Sequence, residues 1–277
     1  MNRLKALFIS GFMTLLSITL FFSLWQLLQT NNFVWFGSLL AALVPLAFFI
    51  RLFVSPLART GSLWWLPVAG ILGAILALTS TMVMMLSLFV GTVMPLIYLF
   101  WYSTFEARDS STLATGKTLT PFNLIDIDGH TWTSRDLSQQ PALWLFYRGN
   151  WCPFCMAQIR EIAASYRELS ARGVKIYLIS PQPEENTYTL AKQFDVPMTF
   201  LTDLNNEAAR RLGILAENGL PTGLQVLGYD SDVPMPTVFI TDANGRLIYS
   251  DLTSNYRLRP EPEDFMKALD DAGLTQT

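Results

Sequence analysis

"ALWLFYRGNWCPFCMAQIREI", residues 142 to 162, is the stretch that decides the fold of this chain. It begins with a continuous apolar run, which is typical of a strand buried in the middle of a sheet. Both cysteines of the chain, Cys152 and Cys155, follow this run. From Pro153 onward the apolar residues recur at helical spacing. The pattern therefore places a Cys-x-x-Cys pair where a central strand enters a helix.

The rest of the chain from about residue 117 alternates short strands with helices. The sequence predicts strands in "FNLIDIDGHTW", "VKIYLIS" and "PMTFLT", a hairpin in "TVFITDANGRLIYSD" and a last helix in "EPEDFMKALDDAG". Such alternation indicates an α/β domain. We predict this domain over residues 117–275, with a central mixed sheet flanked by helices, and a linker over residues 106–116.

Residues 1 to 105 have the composition of an α-helical membrane region. They contain no Asp or Glu, and the whole chain is 51% hydrophobic and only 15% charged. A helix needs about 20 apolar residues to cross a bilayer. We predict such helices over residues 4–28, 33–53, 63–80 and 82–102. The last two divide one apolar run near "TST", because a single helix of that length would overshoot the bilayer about twofold.

The charges around these helices do not decide on which side of the membrane the second domain lies. Arg3, Lys5, Arg51 and Arg59 mark one side as cytoplasmic by the positive-inside rule. Four spans would place the following domain on that side, whereas three spans would place it outside. We predict a multi-pass protein of the cell (inner) membrane, anchored in the lipid bilayer. A plain anchor is favoured over a channel or an electron carrier, because the spans hold no Asp, Glu, His or Cys.

Charge also limits the partners of the second domain. All 22 acidic residues of the chain lie after residue 105. This domain therefore offers no basic surface suited to nucleic acid.

The chemistry of the cysteine pair can be narrowed by elimination. A zinc site needs about four ligands, and the chain adds only His130 to its two cysteines, so we expect no metal. A purely structural disulfide closing so short a loop would constrain the unfolded chain little. The interpretation that remains is a redox-active dithiol that needs no other cofactor.

The two cysteines have different predicted roles. Pro153 suits the first position of the helix, where its missing N–H costs nothing. Cys152 then faces the positive end of the helix dipole, which should stabilise its thiolate and lower its pKa. Cys155 lies one turn further in, so it is expected to be more shielded. It is placed to resolve a mixed disulfide formed on Cys152.

Three stretches of the sequence resemble a known family. "FYRGNWCPFCMAQIREI", "MPTVFITDANGRLIY" and "SNYRLRPEPEDF" look like the peroxiredoxin-like members of the alkyl hydroperoxide reductase/thiol-specific antioxidant (AhpC/TSA) family. The resemblance covers about residues 117–275 and implies a thioredoxin-like fold. It makes Trp151, Cys152 and Cys155 match the thioredoxin-type active-site turn. It also makes Pro236 match the cis-proline that lies against that turn.

Two departures from the family pattern bear on the mechanism. On the peroxiredoxin motif Pro-x-x-x-Thr-x-x-Cys, Cys155 takes the peroxidatic position, but Arg148 stands in place of Pro and Cys152 in place of Thr. Pro236 replaces the arginine expected before the Thr-Val-Phe strand. The peroxide pocket thus lacks two usual parts. Arg148 is open to two interpretations: electrostatic stabilisation of a thiolate, or a solvated charge at the end of a strand.

These observations predict a membrane-anchored thiol–disulfide oxidoreductase with Cys152 and Cys155 as catalytic residues. Trp151, Pro153, Pro236 and Arg148 are the predicted supporting residues. One alternative is a thiol peroxidase with Cys155 or Cys152 as the peroxidatic cysteine, and another is a redox-inactive binding module that keeps the fold. The predicted partner is a protein thiol or disulfide, or else a peroxide.

Overall fold

The computed structural model of the chain describes residues 2–105, 108 and 111–275. The predicted linker therefore lies partly outside the described residues. The N-terminal part is a helical bundle. Its helices are α1 (Asn2–Thr30), α2 (Trp35–Val54), α3 (Trp65–Leu76), α4 (Thr81–Leu88) and α5 (Met94–Ile97). Helix α4 continues through a π-helical turn into α5, and a second π-helical turn extends the whole helix to Tyr102.

Three helices are long and apolar enough to cross a membrane: Asn2–Thr30, Trp35–Val54 and Thr81–Tyr102, which we call the last bundle helix. Helix α3 has only 12 residues, so it is about 18 Å long and shorter than the hydrocarbon core of a bilayer. The chain before α3 is irregular and contacts the second domain, where the Thr60 N–H donates to the Arg257 carbonyl over 3.1 Å. The number of spans, three or four, stays a prediction.

Glycine allows the bundle helices to approach closely. A Cβ atom built on Gly73 of α3 would collide with the Gly37 carbonyl of α2, and one built on Gly91 would lie 2.7 Å from the Ala41 Cβ. Membrane helices commonly pack through small residues in this way. Residues 63 to 102 thus fold back against α2 as two packed helices.

The second domain is built on a seven-stranded mixed sheet with the strand order β2-β1-β5-β4-β3-β8-β9. Strand β3 is central, parallel to β4 and antiparallel to β8, and each of its residues is buried. The prediction of an α/β domain with a mixed sheet is therefore confirmed. The strands are β1 (Asn123–Asp126), β2 (Thr131–Thr133), β3 (Ala142–Phe146), β4 (Lys175–Ser180), β5 (Thr199–Thr202), β6 (Leu215–Ala216), β7 (Val233–Pro234), β8 (Thr237–Thr241) and β9 (Leu247–Asp251). Strands β6 and β7 form a separate two-stranded ribbon.

Helices accompany this sheet. They are α6 (Ser134–Leu137), α7 (Pro153–Ala164), α8 (Tyr166–Ala171), α9 (Glu184–Ala191), α10 (Glu207–Arg211) and α11 (Pro262–Asp271), with short 3-10 turns at Leu204–Asn206 and Leu224–Leu227. Alternate residues of β3 point to opposite faces of the sheet. Trp144 and Phe146 enter one apolar core, whereas Leu143 and Leu145 enter another, which continues into the helical bundle through Phe49.

The domain is docked on one end of the bundle. The Thr222 N–H donates to the Ala6 carbonyl of α1 over 3.2 Å. The Arg59 guanidinium, in the chain after α2, lies 2.9 Å from the Glu161 carboxylate of α7. The Tyr256 hydroxyl donates to the Tyr98 hydroxyl of the last bundle helix over 2.8 Å. The start of α1, the end of α2 and the end of the last bundle helix therefore all meet the same face of the domain.

Candidate redox site

The cysteine pair lies between β3 and α7 as a disulfide. Cys152 and Cys155 are bonded through sulfur, with their Cα atoms 5.3 Å apart. Cys152 is the N-cap residue of α7, and Pro153 occupies the first turn of that helix. The Cys155 N–H donates to the Cys152 Sγ over 3.3 Å. The Cys152 sulfur thus receives one of the amides that a helix N-terminus leaves unpaired.

The loop before Cys152 is held by a chain of polar contacts. The Asn150 N–H donates to the Gln182 Oε1 over 2.8 Å, and the Gln182 Nε2 donates to the Tyr147 hydroxyl over 3.1 Å. The Tyr229 hydroxyl donates to the Asn150 side chain. Burial raises the pKa of Tyr147, so this phenol stays neutral. These contacts hold the loop that leads into α7. They come from Gln182, which follows β4, and from Tyr229 in an irregular segment.

Gly149 is required in this loop by both conformation and space. Its φ angle is +143°, and a Cβ atom there would lie 2.6 Å from the Trp151 indole nitrogen. A side chain is disfavoured at such a φ angle, and no Cβ atom fits at that distance. Glycine therefore allows the Trp151 ring to lie against the loop beside Cys152.

Both sulfurs are shielded from water. Cys152 is 2% exposed and Cys155 is 0% exposed, so the expected difference in shielding is small. The cysteines differ in what they face. Cys152 lines a cavity of about 570 Å³, and Cys155 does not.

This cavity lies between the cysteine turn and the helical bundle. Its walls combine residues of α1, α2 and the last bundle helix with residues of the second domain. They include Met13, Phe49, Tyr98, Tyr102, Trp151 and Tyr256. Phe53 also lines it and is 63% exposed, so the cavity reaches the outer surface of the bundle. Cys152 therefore faces the helical bundle through an open space.

Arg148 borders the same cavity and is only 9% exposed. Its guanidinium lies 4.8 Å from the centre of the Trp151 ring and donates to the Gly219 carbonyl. It also interacts with the Tyr102 phenol of the last bundle helix. The interpretation of Arg148 as a solvated charge at the end of a strand is therefore wrong. Its interpretation as a thiolate-stabilising charge stays a prediction.

Pro236 differs from the expectation. Among the described residues no peptide bond is cis, so the cis-proline implied by the family resemblance is wrong. The trans isomer is the ordinary preference, by about 0.5–1 kcal/mol. Here it fits an extended segment in which the Met235 N–H donates to the Ile214 carbonyl over 2.7 Å. Pro236 directly precedes Thr237, which pairs with Phe146, so it lies at the end of the sheet that carries the cysteines.

A group of buried charges near the site was missed by the sequence reasoning. Arg259 is 5% exposed, and burial lowers its pKa to about 9. Burial also lowers the pKa of Arg108 to about 10, and the Arg108 guanidinium donates to the Thr237 Oγ1 over 2.8 Å. The charges of Arg148 and Asp251 act on Arg259. The stretch "SNYRLRPEPEDF" contains Arg259 and Tyr256, but nothing in its spacing places them beside the cysteine turn.

The described residues contain one group of possible metal ligands. Asp126, Asp128 and His130 bring their ligand atoms within 4.8 Å of one another in the turn between β1 and β2. Asp126 already accepts from the Trp132 indole over 2.7 Å. This turn is at the β2–β1 edge of the sheet, away from the central strand β3 and its cysteines.

Comparison with known proteins agrees with this fold. Residues 115–250 match the model of the AhpC/TSA family. Chloroplastic peroxiredoxin Q of Sedum lineare is 26% identical over 148 residues, which cover 53% of this chain and 71% of the relative. Chloroplastic peroxiredoxin Q of Gentiana triflora is 26% identical over 162 residues, which cover 57% and 67%.

The chain is also similar to solved structures. A cysteine-to-serine mutant of peroxiredoxin 6 from Arenicola marina has a TM-score of 0.50 at 15% identity, over 58% of this chain and 73% of that chain. A thiol peroxidase from Chromobacterium violaceum has a TM-score of 0.49 at 17% identity, over 60% and 91%. The second domain is therefore a peroxiredoxin-like domain with a thioredoxin-like fold, and the protein is a thiol-dependent oxidoreductase.

Proposed function

We propose that this protein is a membrane-anchored oxidoreductase in which Cys152 and Cys155 cycle between a dithiol and a disulfide, with Cys152 reacting first. One observation carries the proposal. The two sulfurs are bonded at the N-terminus of α7, and only Cys152 lines the cavity. A substrate in that cavity therefore meets the Cys152 sulfur and not that of Cys155.

The surroundings of Cys152 support its role as a nucleophile. In the reduced protein its thiolate would accept the Cys155 N–H and face the positive end of the dipole of α7, a 12-residue helix. Both effects favour the thiolate over the thiol. The thiolate would attack a substrate disulfide and form a mixed disulfide. The Cys155 thiolate would then displace the reduced substrate and close the Cys152–Cys155 bond.

Peroxide reduction is a second candidate function, favoured by the match of residues 115–250 to the AhpC/TSA family. A thiolate would attack one peroxide oxygen and release an alcohol or water, leaving a sulfenic acid. The other cysteine would attack the sulfenic sulfur, form the disulfide and release water. The cavity favours Cys152 over Cys155 as the sulfur that meets the peroxide, although Cys155 takes the peroxidatic position in the motif. The relatives found by comparison are peroxiredoxins, which are enzymes, so they give no support to the alternative of a redox-inactive binding module.

The helical bundle supports a role as membrane anchor, and its charges suggest an orientation. The domain contacts the end of the bundle that carries Arg59, and Ala6 beside Lys5 accepts a hydrogen bond from it. The positive-inside rule assigns such an end to the cytoplasm. We therefore place the redox domain on the cytoplasmic side.

Single-cysteine variants of the full chain test this function. Cys155→Ser should accumulate a mixed disulfide with a substrate such as oxidised glutathione, because the resolving thiol is missing. Cys152→Ser should lose exchange altogether. Stopped-flow tryptophan fluorescence can follow the reaction, since Trp151 adjoins Cys152. Rapid, saturable peroxide turnover that survives in Cys152→Ser would contradict the assignment and identify Cys155 as a peroxidatic cysteine.

A further inference from the structure

We propose that the cavity beside Cys152 binds the ring of a membrane-soluble quinone, which accepts the electrons of the reduced Cys152–Cys155 pair. The inference deepens the proposed function and rests on it, since it requires the pair to cycle. In this direction the exchange runs in reverse: a substrate dithiol attacks the Cys152 sulfur of the disulfide through a mixed disulfide, leaves as a disulfide and returns the pair to two thiols. The quinone is then the oxidant that closes the Cys152–Cys155 bond again.

The cavity lies where a molecule dissolved in the bilayer could enter it. Its walls include Met13 of α1, together with Phe49 and Phe53 near the end of α2. Phe53 is 63% exposed on the outer surface of a helix that is long and apolar enough to cross a membrane. An apolar molecule dissolved in the bilayer can therefore reach the disulfide along protein surface that is itself apolar.

The shape and chemistry of the walls suit a flat conjugated ring. The cavity holds about 570 Å³, which is within the usual range for a small-molecule site. Aromatic rings from both the bundle and the domain surround it, namely Phe49, Tyr98, Tyr102, Trp151, Phe154 and Tyr256. Aromatic side chains stack on flat conjugated rings in preferred geometries. Such walls fit a quinone ring better than they fit a flexible acyl chain.

The charged side chains that line the cavity are all positive. The described residues that line the cavity include Arg148 and Arg160 and no carboxylate. A quinone presents carbonyl oxygens, which only accept hydrogen bonds, and negative charge develops on them as electrons arrive. Guanidinium groups are donors without acceptors. The cavity is therefore matched to a neutral acceptor that becomes anionic, and it disfavours a cationic amphiphile.

The reaction balances without a further reactant. The Cys152 and Cys155 thiols each lose one proton and one electron, their S–H bonds break and the S–S bond forms. The quinone gains the two electrons and two protons, so that its two carbonyl groups become the hydroxyl groups of a hydroquinone. A lipid hydroperoxide could also oxidise the pair, but the threonine whose hydroxyl would orient a peroxide is replaced here by Cys152.

The test uses the full chain in lipid nanodiscs, reduced and kept free of oxygen. Decylubiquinone is mixed with the protein, and the ultraviolet absorbance of the quinone and the free thiols are measured together. We expect one hydroquinone to form per disulfide. The variant Met13→Trp, which fills part of the cavity, should lower the ratio of the rate with decylubiquinone to the rate with the water-soluble oxidant diamide by about tenfold. Leu28→Trp, exposed at the far end of α1, is the matched control and should leave the ratio unchanged.

Each other outcome has a definite meaning. If diamide oxidises the pair but decylubiquinone does not, the quinone site is refuted while the cycling of the cysteines stands. If a fatty acyl hydroperoxide oxidises the pair with the same dependence on Met13, and decylubiquinone does not, the cavity serves a peroxide instead. If no oxidant closes the disulfide, the proposed function itself fails.

Discussion

The Tyr256 hydroxyl donates a hydrogen bond to the Tyr98 hydroxyl over 2.8 Å, joining the redox domain to the last bundle helix. Both side chains are buried, and both line the cavity in front of Cys152. The wall of the redox site is therefore made by two parts of the chain 158 residues apart. The stability of the docked arrangement and the shape of the site depend on the same contact.

Tyr256→Phe should weaken this docking. Removing one hydroxyl leaves the buried Tyr98 phenol without the partner that it has here, which costs about 1–3 kcal/mol. We expect a lower melting temperature of the full chain in detergent and faster proteolysis between bundle and domain. Tyr188→Phe, at a half-exposed tyrosine, is the control and should change neither. An unchanged melting temperature in Tyr256→Phe would show that the bond does not support the junction.

The ion pair between Arg59 and Glu161 should contribute modestly. The two side chains are 29% and 34% exposed, and partly exposed pairs of this kind are worth up to about 1 kcal/mol. A double-mutant cycle with Arg59→Ala and Glu161→Ala, read from thermal unfolding, should give a coupling of this size that shrinks at high salt. The exposed pair Arg211 and Glu207 within α10 serves as the comparison. A coupling insensitive to salt would contradict this electrostatic account.

Gly149→Ala should damage the site more than a comparable substitution elsewhere. Its methyl group would lie 2.6 Å from the Trp151 indole nitrogen, in addition to the strain of its φ angle. Gly223→Ala is the matched control, because Gly223 also has a positive φ angle but open space around it. We expect the first variant to lose about 1–3 kcal/mol more than the second. It should also shift the tryptophan fluorescence of the reduced protein. Equal losses would mean that Trp151 moves freely.

Asp203 should make stability depend on pH. Burial raises its pKa to about 6, although the carboxylate caps α10 by accepting the Ala208 and Ala209 N–H groups over 2.8 and 2.9 Å. The folded protein thus holds this proton at pH values where the unfolded chain has lost it. The contribution of Asp203 to stability therefore falls as the pH rises from about 4 to about 6, by up to about 3 kcal/mol.

Thermal unfolding across that pH range checks this expectation. The melting temperature of the wild type relative to Asp203→Asn should decrease as the pH rises, because the amide does not titrate. A difference between the two proteins that stays constant over the range would refute the raised pKa.

The sequence predicted the parts of this molecule that local pattern determines. The apolar run of β3, Pro153 at the start of α7 and the Ala-Asn-Gly hairpin each specify structure within a few residues. The burial of Arg148 was not predictable, because it results from Tyr102 and Gly219, which are distant in the chain. The 12-residue length of α3 was likewise not predictable, because the apolar run continues beyond both of its ends.

Two further features could not be predicted from local sequence: the trans bond at Pro236 and the cavity. The family pattern implied a cis bond at a position where the local sequence permits both isomers. The cavity exists only because the domain docks with its cysteine turn against the bundle. No motif in residues 1 to 105 indicates that these helices form one wall of the redox site.

The central claim is that Cys152 is the sulfur that meets the substrate. The most direct test is to reduce the full chain in nanodiscs, alkylate it briefly with limiting iodoacetamide at neutral pH and map the label by mass spectrometry. The account predicts that label accumulates on Cys152 first, because Cys152 lines the cavity and caps α7. Preferential labelling of Cys155 would contradict it.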